Sequence, residues 1–168
     1  MKRLLWFLIL IGVGFDVFAQ NAIKTEKVSE WSLYIKASNF EGVIFSKDFD
    51  SRFLIGEKFT KFSPVQEEVL LAEEILDKGL DTIANSRGKN RFIHKNIATY
   101  CRQYFGYINE DGDKIIYLNA FSKPSNEPID EKWLRQLNFA LDGGPAYWQI
   151  RINVTKQILF DFRVNVIG

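Results

Sequence analysis

The chain has 168 residues, with 22 basic and 21 acidic side chains, one histidine, one cysteine and an aromatic share of 15%. A balance so close to neutral exerts no general pull on nucleic acid or anionic membrane, and a lone cysteine excludes an intrachain disulfide framework. Gly-x-Ser-x-Gly, His-Glu-x-x-His, a phosphate loop and a Cys-His pair are all absent, which removes the enzyme classes those spacings serve.

At the start, Lys2 and Arg3 precede an apolar run from Leu4 to Phe15, followed by Asp16-Val17-Phe18-Ala19-Gln20. Positive residues, an apolar stretch and small or apolar residues before Gln20 make residues 1–19 read as a cleavable signal peptide. The run ends after 12 residues at Asp16, whereas a spanning helix needs about 20. The expected mature protein begins near Gln20 after cleavage at Ala19, is periplasmic or secreted, and has no integral membrane span. Losing Lys2, Arg3 and Asp16 leaves it with 20 basic and 20 acidic side chains.

Residues 20–30 are polar and aperiodic and read as a flexible lead-in, so that a single α+β domain is expected over 31–168. Trp31, Leu33 and Ile35 alternate with polar residues, and Phe40 to Phe45 follows a turn at Ser38-Asn39, which predicts two strands. A weaker extended stretch covers Phe53 to Phe62.

The strongest element signal begins at Ser63. Ser63 as cap, Pro64 at the first helical position and Gln66 form a capping-box pattern, with Glu67 and Glu68 at the positive end of the dipole. Val65, Val69, Ala72, Leu76, Leu80 and Ile83 recur at steps of three or four and draw one apolar stripe. This predicts a long amphipathic helix to about Asn85, whose six acids between Glu67 and Asp81 make a solvated face. The basic stretch Arg87, Lys89, Arg91 and Lys95 suits a position beyond a helix C-terminus better than an anion site. His94 among them has no second ligand or positioned acid nearby in sequence.

From Ala98 onward strands are expected. Tyr100 to Asn109 and Lys114 to Phe121 flank Glu110-Asp111-Gly112, a hairpin signal. Asn109, Asp111 and Asp113 resemble the opening of a calcium loop, but the glycine is misplaced and the closing glutamate is missing; no metal and no cofactor are expected. Cys101 reads as a small buried hydrophobe. Asp130 to Leu134 suits a helical turn, and residues 137–141 alternate as a strand, with a helix over Trp133 to Leu141 as the alternative.

The last hairpin places Trp148, Ile150, Ile152 and Val154 on one face and Ile158, Phe160, Phe162, Val164 and Val166 on another. Matching these faces requires a loop of odd length, about three residues with a bulge. Asn153-Val154-Thr155 fits a glycosylation acceptor by incidence.

The order predicts one long amphipathic helix packed on a curled antiparallel sheet meander. In architecture it resembles cystatin-like and nuclear-transport-factor-like rolls, a likeness that carries no function. The segments Tyr104-Phe105-Gly106-Tyr107-Ile108, Asp111-Gly112-Asp113-Lys114-Ile115-Ile116-Tyr117, Leu141-Asp142-Gly143-Gly144 and Tyr147-Trp148-Gln149 resemble recurring blocks of a family of small exported bacterial proteins over roughly residues 60–168. That resemblance implies export and no particular chemistry.

Two function classes follow. The first is a non-catalytic binding module for a protein, peptide or envelope component, with Arg102 and Tyr104 beside Gly106 as a shallow recognition patch. Against that patch stands a structural reading in which Tyr104 packs inward under the stem of Arg102. The second is a small hydrolase or isomerase using carboxylates in the mouth of a cone-shaped roll, with Asp142, Asp161 and Arg151 as candidates.

Overall fold

The computed structural model describes residues 23–85, 91–123 and 131–167. Its strands are β1 (Lys24–Ser29), β2 (Ser32–Lys36), β3 (Glu41–Phe45), β4 (Thr60–Phe62), β5 (Tyr100–Ile108), β6 (Lys114–Ser122), β7 (Tyr147–Asn153) and β8 (Ile158–Val164). The α-helices are α1 (Arg52–Ile55), α2 (Gln66–Asn85) and α3 (Arg91–Lys95). Short 3-10 turns occupy Ile97–Thr99, Glu131–Leu134 and Gly144–Ala146.

The strands form one open mixed sheet in the order β1-β2-β3-β5-β6-β7-β8. The expected α+β class is present, but the sheet is two antiparallel meanders joined by a parallel pair. Glu41–Ile44 of β3 run alongside Cys101–Tyr104 of β5, and β4 continues along that same side of β5, pairing Phe62 with Gly106. The parallel contact follows from the long crossover between β3 and β5, which carries α1, β4, α2 and α3.

Several expectations need correction. The polar stretch read as a lead-in contains β1, which pairs with β2 from Lys24↔Lys36 onward. It is polar because it is an edge strand with most side chains in solvent. The stretch 53–62 is not one extended run: α1 and β4 divide it around Gly56, whose φ of 91° turns the chain.

Helix α2 starts three residues after Ser63. The Ser63 hydroxyl is taken by Lys47, whose backbone N–H donates to it at 3.0 Å, and Glu68 Oε2 instead accepts from the Val65 N–H at 3.0 Å. This is half a capping box shifted along the chain. Val69, Ala72, Leu76 and Leu80 are fully buried as expected, while Val65 is 54% exposed because it lies ahead of the helix.

Both faces of the sheet are covered. On one, α2 packs Val69, Ala72, Leu76 and Leu80 against Ile35, Tyr104, Ile116, Leu118, Trp148 and Ile152. On the other, Leu54 and Ile55 of α1 and Trp133 join Phe45, Phe105, Tyr107, Tyr117 and Phe121, with Phe49, Phe59 and Phe139 packed around them. Every residue from Tyr100 to Tyr107 is consequently buried, so neither face of β5 is a solvent face.

Residues 137–140 form neither the predicted strand nor the alternative helix. Side-chain amides of the sheet bond the backbone of Asn138 and of the residues just before this stretch instead. Gln103 Nε2 donates to the carbonyls of Trp133 (2.8 Å) and Gln136 (2.7 Å), and its Oε1 accepts from Asn138 N–H at 3.0 Å. Asn119 Nδ2 donates to Gln103 Oε1 at 3.0 Å and to the Asn138 carbonyl at 2.8 Å.

In the last hairpin, Asn153 pairs with Ile158, which leaves a four-residue loop, Val154 to Gln157, where three were expected. Parity is restored by a bulge: Gln149 pairs with Arg163 and Arg151 with Phe160, and Asp161 adopts a φ of 52°. The bulge splits the expected apolar face. Phe162 packs on the α2 side and Phe160 on the opposite side.

Candidate functional site

Arg102 and Tyr104 do not form a surface patch. They are 1% and 0% exposed, facing α2, and the carboxylate of Glu73 reaches both. Tyr104 donates its hydroxyl to Glu73 Oε1 at 2.7 Å, Arg102 Nη1 is ion-paired with Glu73 Oε2, and Arg102 Nη2 donates to the Ile97 carbonyl at 3.1 Å. The Phe40 ring lies 5.3 Å from the guanidinium. Over Gly106, a Cβ would meet the Phe62 carbonyl oxygen at 2.7 Å, so β4 fills the space that the sequence left open.

Burial pushes the Glu73 carboxyl above its usual value, with Arg102 and Tyr104 pulling the other way. Arg102 itself keeps its proton at all ordinary pH. The group locks α2 to β5, and the solvated acidic face of α2 holds for Glu74, which is exposed, but not for Glu73.

A second polar cluster surrounds Glu41. Tyr34 donates to Glu41 Oε2 at 2.9 Å, Lys123 is ion-paired with Oε1, Lys36 lies 3.9 Å away, and the Cys101 thiol points at Oε1 from 3.8 Å. Burial pushes the Glu41 carboxyl up, but hydrogen bonds from Lys123 and Tyr34 outweigh it and hold the group below its ordinary value. Burial, then the Glu41 charge, pushes the Cys101 thiol up to about 12. Because the thiolate is the reactive form, Cys101 is no nucleophile at neutral pH.

Of the carboxylate candidates, Asp161 and Arg151 meet as an ion pair, and Arg163 Nε donates to Asp161 Oδ1 at 2.7 Å. Asp142 does not line the cavity they border; its carbonyl accepts from Asn165 Nδ2 at 3.1 Å. The calcium-like loop is a closed turn in which Asn109 Oδ1 accepts from the backbone N–H groups of Asp111 (3.0 Å) and Asp113 (2.8 Å). No group of metal-ligating side chains occurs among the described residues. Asn153 is buried and donates Nδ2 to Asp113 Oδ2 at 2.9 Å, so it is not placed to accept a glycan. His94 lies 3.5 Å from Asp81, while Arg87 and Lys89 fall outside the described residues.

A groove of about 570 Å³ runs between α2 and β8. Leu71, Ile75 and Ile83 of α2, with Glu74, Lys78 and Thr82 among them, line one wall, and Ile158 and Leu159 the other. Gly79 lets the two walls close at the bottom: a Cβ there would lie 2.7 Å from Leu159 Cδ1. At this point β8 is the last strand of the sheet, and the outward backbone groups of an edge strand are free to pair with another chain.

Comparison with protein-family models, curated proteins and solved structures gives no match. The site therefore rests on geometry alone. Sequence reasoning missed Glu73 and Glu41. Glu73 sits one residue from the exposed Glu74 on the same helix, but its place four residues after Val69 and three before Leu76 puts it beside the buried stripe, a spacing that was the available signal. Glu41 gathers its partners from β2, β5 and the end of β6, which no local pattern announces.

Proposed function

We propose that this chain is an exported, non-catalytic binding module that takes an extended peptide segment of a protein or envelope component along β8, over the groove beside α2. The observation that supports this reading is the coincidence of β8, the last strand of the sheet among the described residues, with a groove lined largely by aliphatic side chains. Strand addition draws affinity from main-chain hydrogen bonds, and a neighbouring groove selects alternate side chains of the added strand. Ile158, half exposed at the mouth, is the residue such a ligand meets first.

The polar clusters support binding over catalysis. Glu73 is buried with both oxygens held by Arg102 and Tyr104, and the Asp161 oxygens are each held by an arginine. Export is inferred from residues 1–19, which lie outside the described residues. Mass spectrometry of protein recovered outside the cytoplasm tests it: an N-terminus near Gln20 is expected, and recovery of intact Met1 in the membrane fraction would overturn it.

Selection of displayed extended peptides on the mature protein tests the β8 reading. Bound peptide is expected to slow amide exchange along Ile158 to Phe160, and Ile158→Glu should abolish capture with an unchanged Tm. Peptides that bind without protecting β8, or that tolerate Ile158→Glu, would overturn it.

A further inference from the structure

Across the sheet from that groove, beside the register shift between β7 and β8, Phe53, Phe139, Gln149, Arg151, Asp161 and Arg163 border a cavity of about 190 Å³. They come from four separate parts of the chain: α1, the irregular stretch before β7, and β7 and β8 themselves.

Two guanidinium groups share one carboxylate here. Arg151 and Arg163 both engage Asp161, which leaves one positive charge in excess at the cavity. Arg163 is 65% exposed, so its remaining N–H donors face solvent, and Arg151 Nε is buried without a hydrogen-bond partner among the described residues. The carboxylate is brought inward by an unusual backbone, since Asp161 is one of two non-glycine residues with positive φ among the described residues. Such conformations cluster at functional sites.

Beside the charges stands an apolar wall made of Phe139, which packs on the core of this face, and the exposed Phe53. Phe53 is 71% exposed, and its ring meets Phe139 edge to face at 5.1 Å between centroids. A large aromatic so exposed beside arginine is the composition of a binding hot spot rather than of a solvated surface.

We propose that this cavity binds an acidic saccharide unit, a sugar ring bearing a carboxylate. The carboxylate pairs with Arg163, whose planar fork of donors suits it. The C–H face of the ring lies on Phe53, and the ring hydroxyls donate to the Asp161 carboxylate and the Gln149 side-chain oxygen. The acceptors decide the ligand class: a simple carboxylate has no donors to offer Asp161 and would be repelled by it, whereas the hydroxyls of a sugar acid satisfy it. A volume of about 190 Å³ holds one ring. This site faces the side of the sheet opposite α2, and the inference does not rest on peptide addition at β8.

The test is a titration of isotope-labelled mature protein with sodium glucuronate, glucose and sodium acetate, followed by amide shifts. Glucuronate should shift Phe53, Phe139, Gln149 and Arg163 saturably, and glucose and acetate should each bind at least tenfold more weakly. Phe53→Ala and Arg163→Gln should each weaken glucuronate at least tenfold; both side chains are exposed, so Tm should not move. Binding of glucose as tight as glucuronate would show that the charge is not read, and acetate matching glucuronate would show that the ring is not read. Either result, the absence of saturable shifts, or undiminished binding by either variant overturns the proposal. Capture of peptides at β8 should be unchanged in Phe53→Ala, whose site lies on α1 away from that strand, which separates failure here from failure there.

Discussion

The two faces of the sheet bury comparable rows of side chains in different ways. The α2 face is closed by one long helix whose own backbone is satisfied internally, so its core is aliphatic around Tyr104 and Trp148, with a single ionic group at Glu73. The opposite face is closed by short or irregular segments that cannot satisfy their own backbone. There the sheet supplies amides: Gln103, Asn119 and Gln149, from three successive strands, are 0%, 0% and 5% exposed and linked to one another or to residues 136–142 through Asn165. Phenylalanine and tyrosine rings fill the volume between them, including the stacked Phe45 and Phe105 at 5.0 Å. Buried polar groups must be partnered, so a cover without regular structure needs a polar row beneath it.

The sharpest way to break this contrast is Glu73→Ala. It leaves Arg102 buried with no opposing charge, and denaturant melts should show a loss of about 3–5 kcal/mol. Leu76→Ala should cost about 2–5 kcal/mol through the cavity it leaves, whereas Glu74→Ala, one turn face away, should change stability by under about 0.5 kcal/mol. Equal effects at positions 74 and 76 would reverse the assigned face of α2.

On the other side, Gln103→Ala removes partners of the Trp133 and Gln136 carbonyls and of the Asn138 N–H. A loss of about 1–3 kcal/mol is expected, and amide exchange should accelerate over residues 133–140 while the α2 amides keep their protection until global unfolding. Uniform acceleration would mean that the two layers are one cooperative unit.

The smallest effect is a pH dependence on the aromatic side. Glu41 titrates lower in the folded chain than in the unfolded one, so its contribution is present above the ordinary carboxylate value and is lost as pH falls through the folded value. Melts between pH 6 and about 3 should show a steeper acid limb for the natural chain than for Glu41→Gln. Identical limbs would remove Glu41 from the electrostatics of this face.

Much of the framework was legible from local chemistry. The periodicity of Val69, Ala72, Leu76 and Leu80, the Asp111-Gly112 turn and the alternation of β7 report backbone geometry that a few neighbouring residues determine, and each stands where it was expected. Alternation could not tell which side of β5 is solvent because neither is: Arg102 and Gln103, polar neighbours on opposite faces, are both in the core with distant partners.

What only the tertiary structure decided are the features whose partners lie far along the chain. The Ser63 hydroxyl serves β3's neighbour Lys47 rather than its own helix, β1 is a strand because β2 is there to pair with it, and residues 137–140 give up the strand their alternation favours because Gln103 and Asn119 bind their backbone. The candidate sites belong to the same class. Asp161, Arg163, Phe53 and Phe139 meet only after a bulge turns β8 by one residue and α1 folds over the sheet. A sequence fixes such meetings through the free energy of the whole fold, and no window of neighbouring residues contains them.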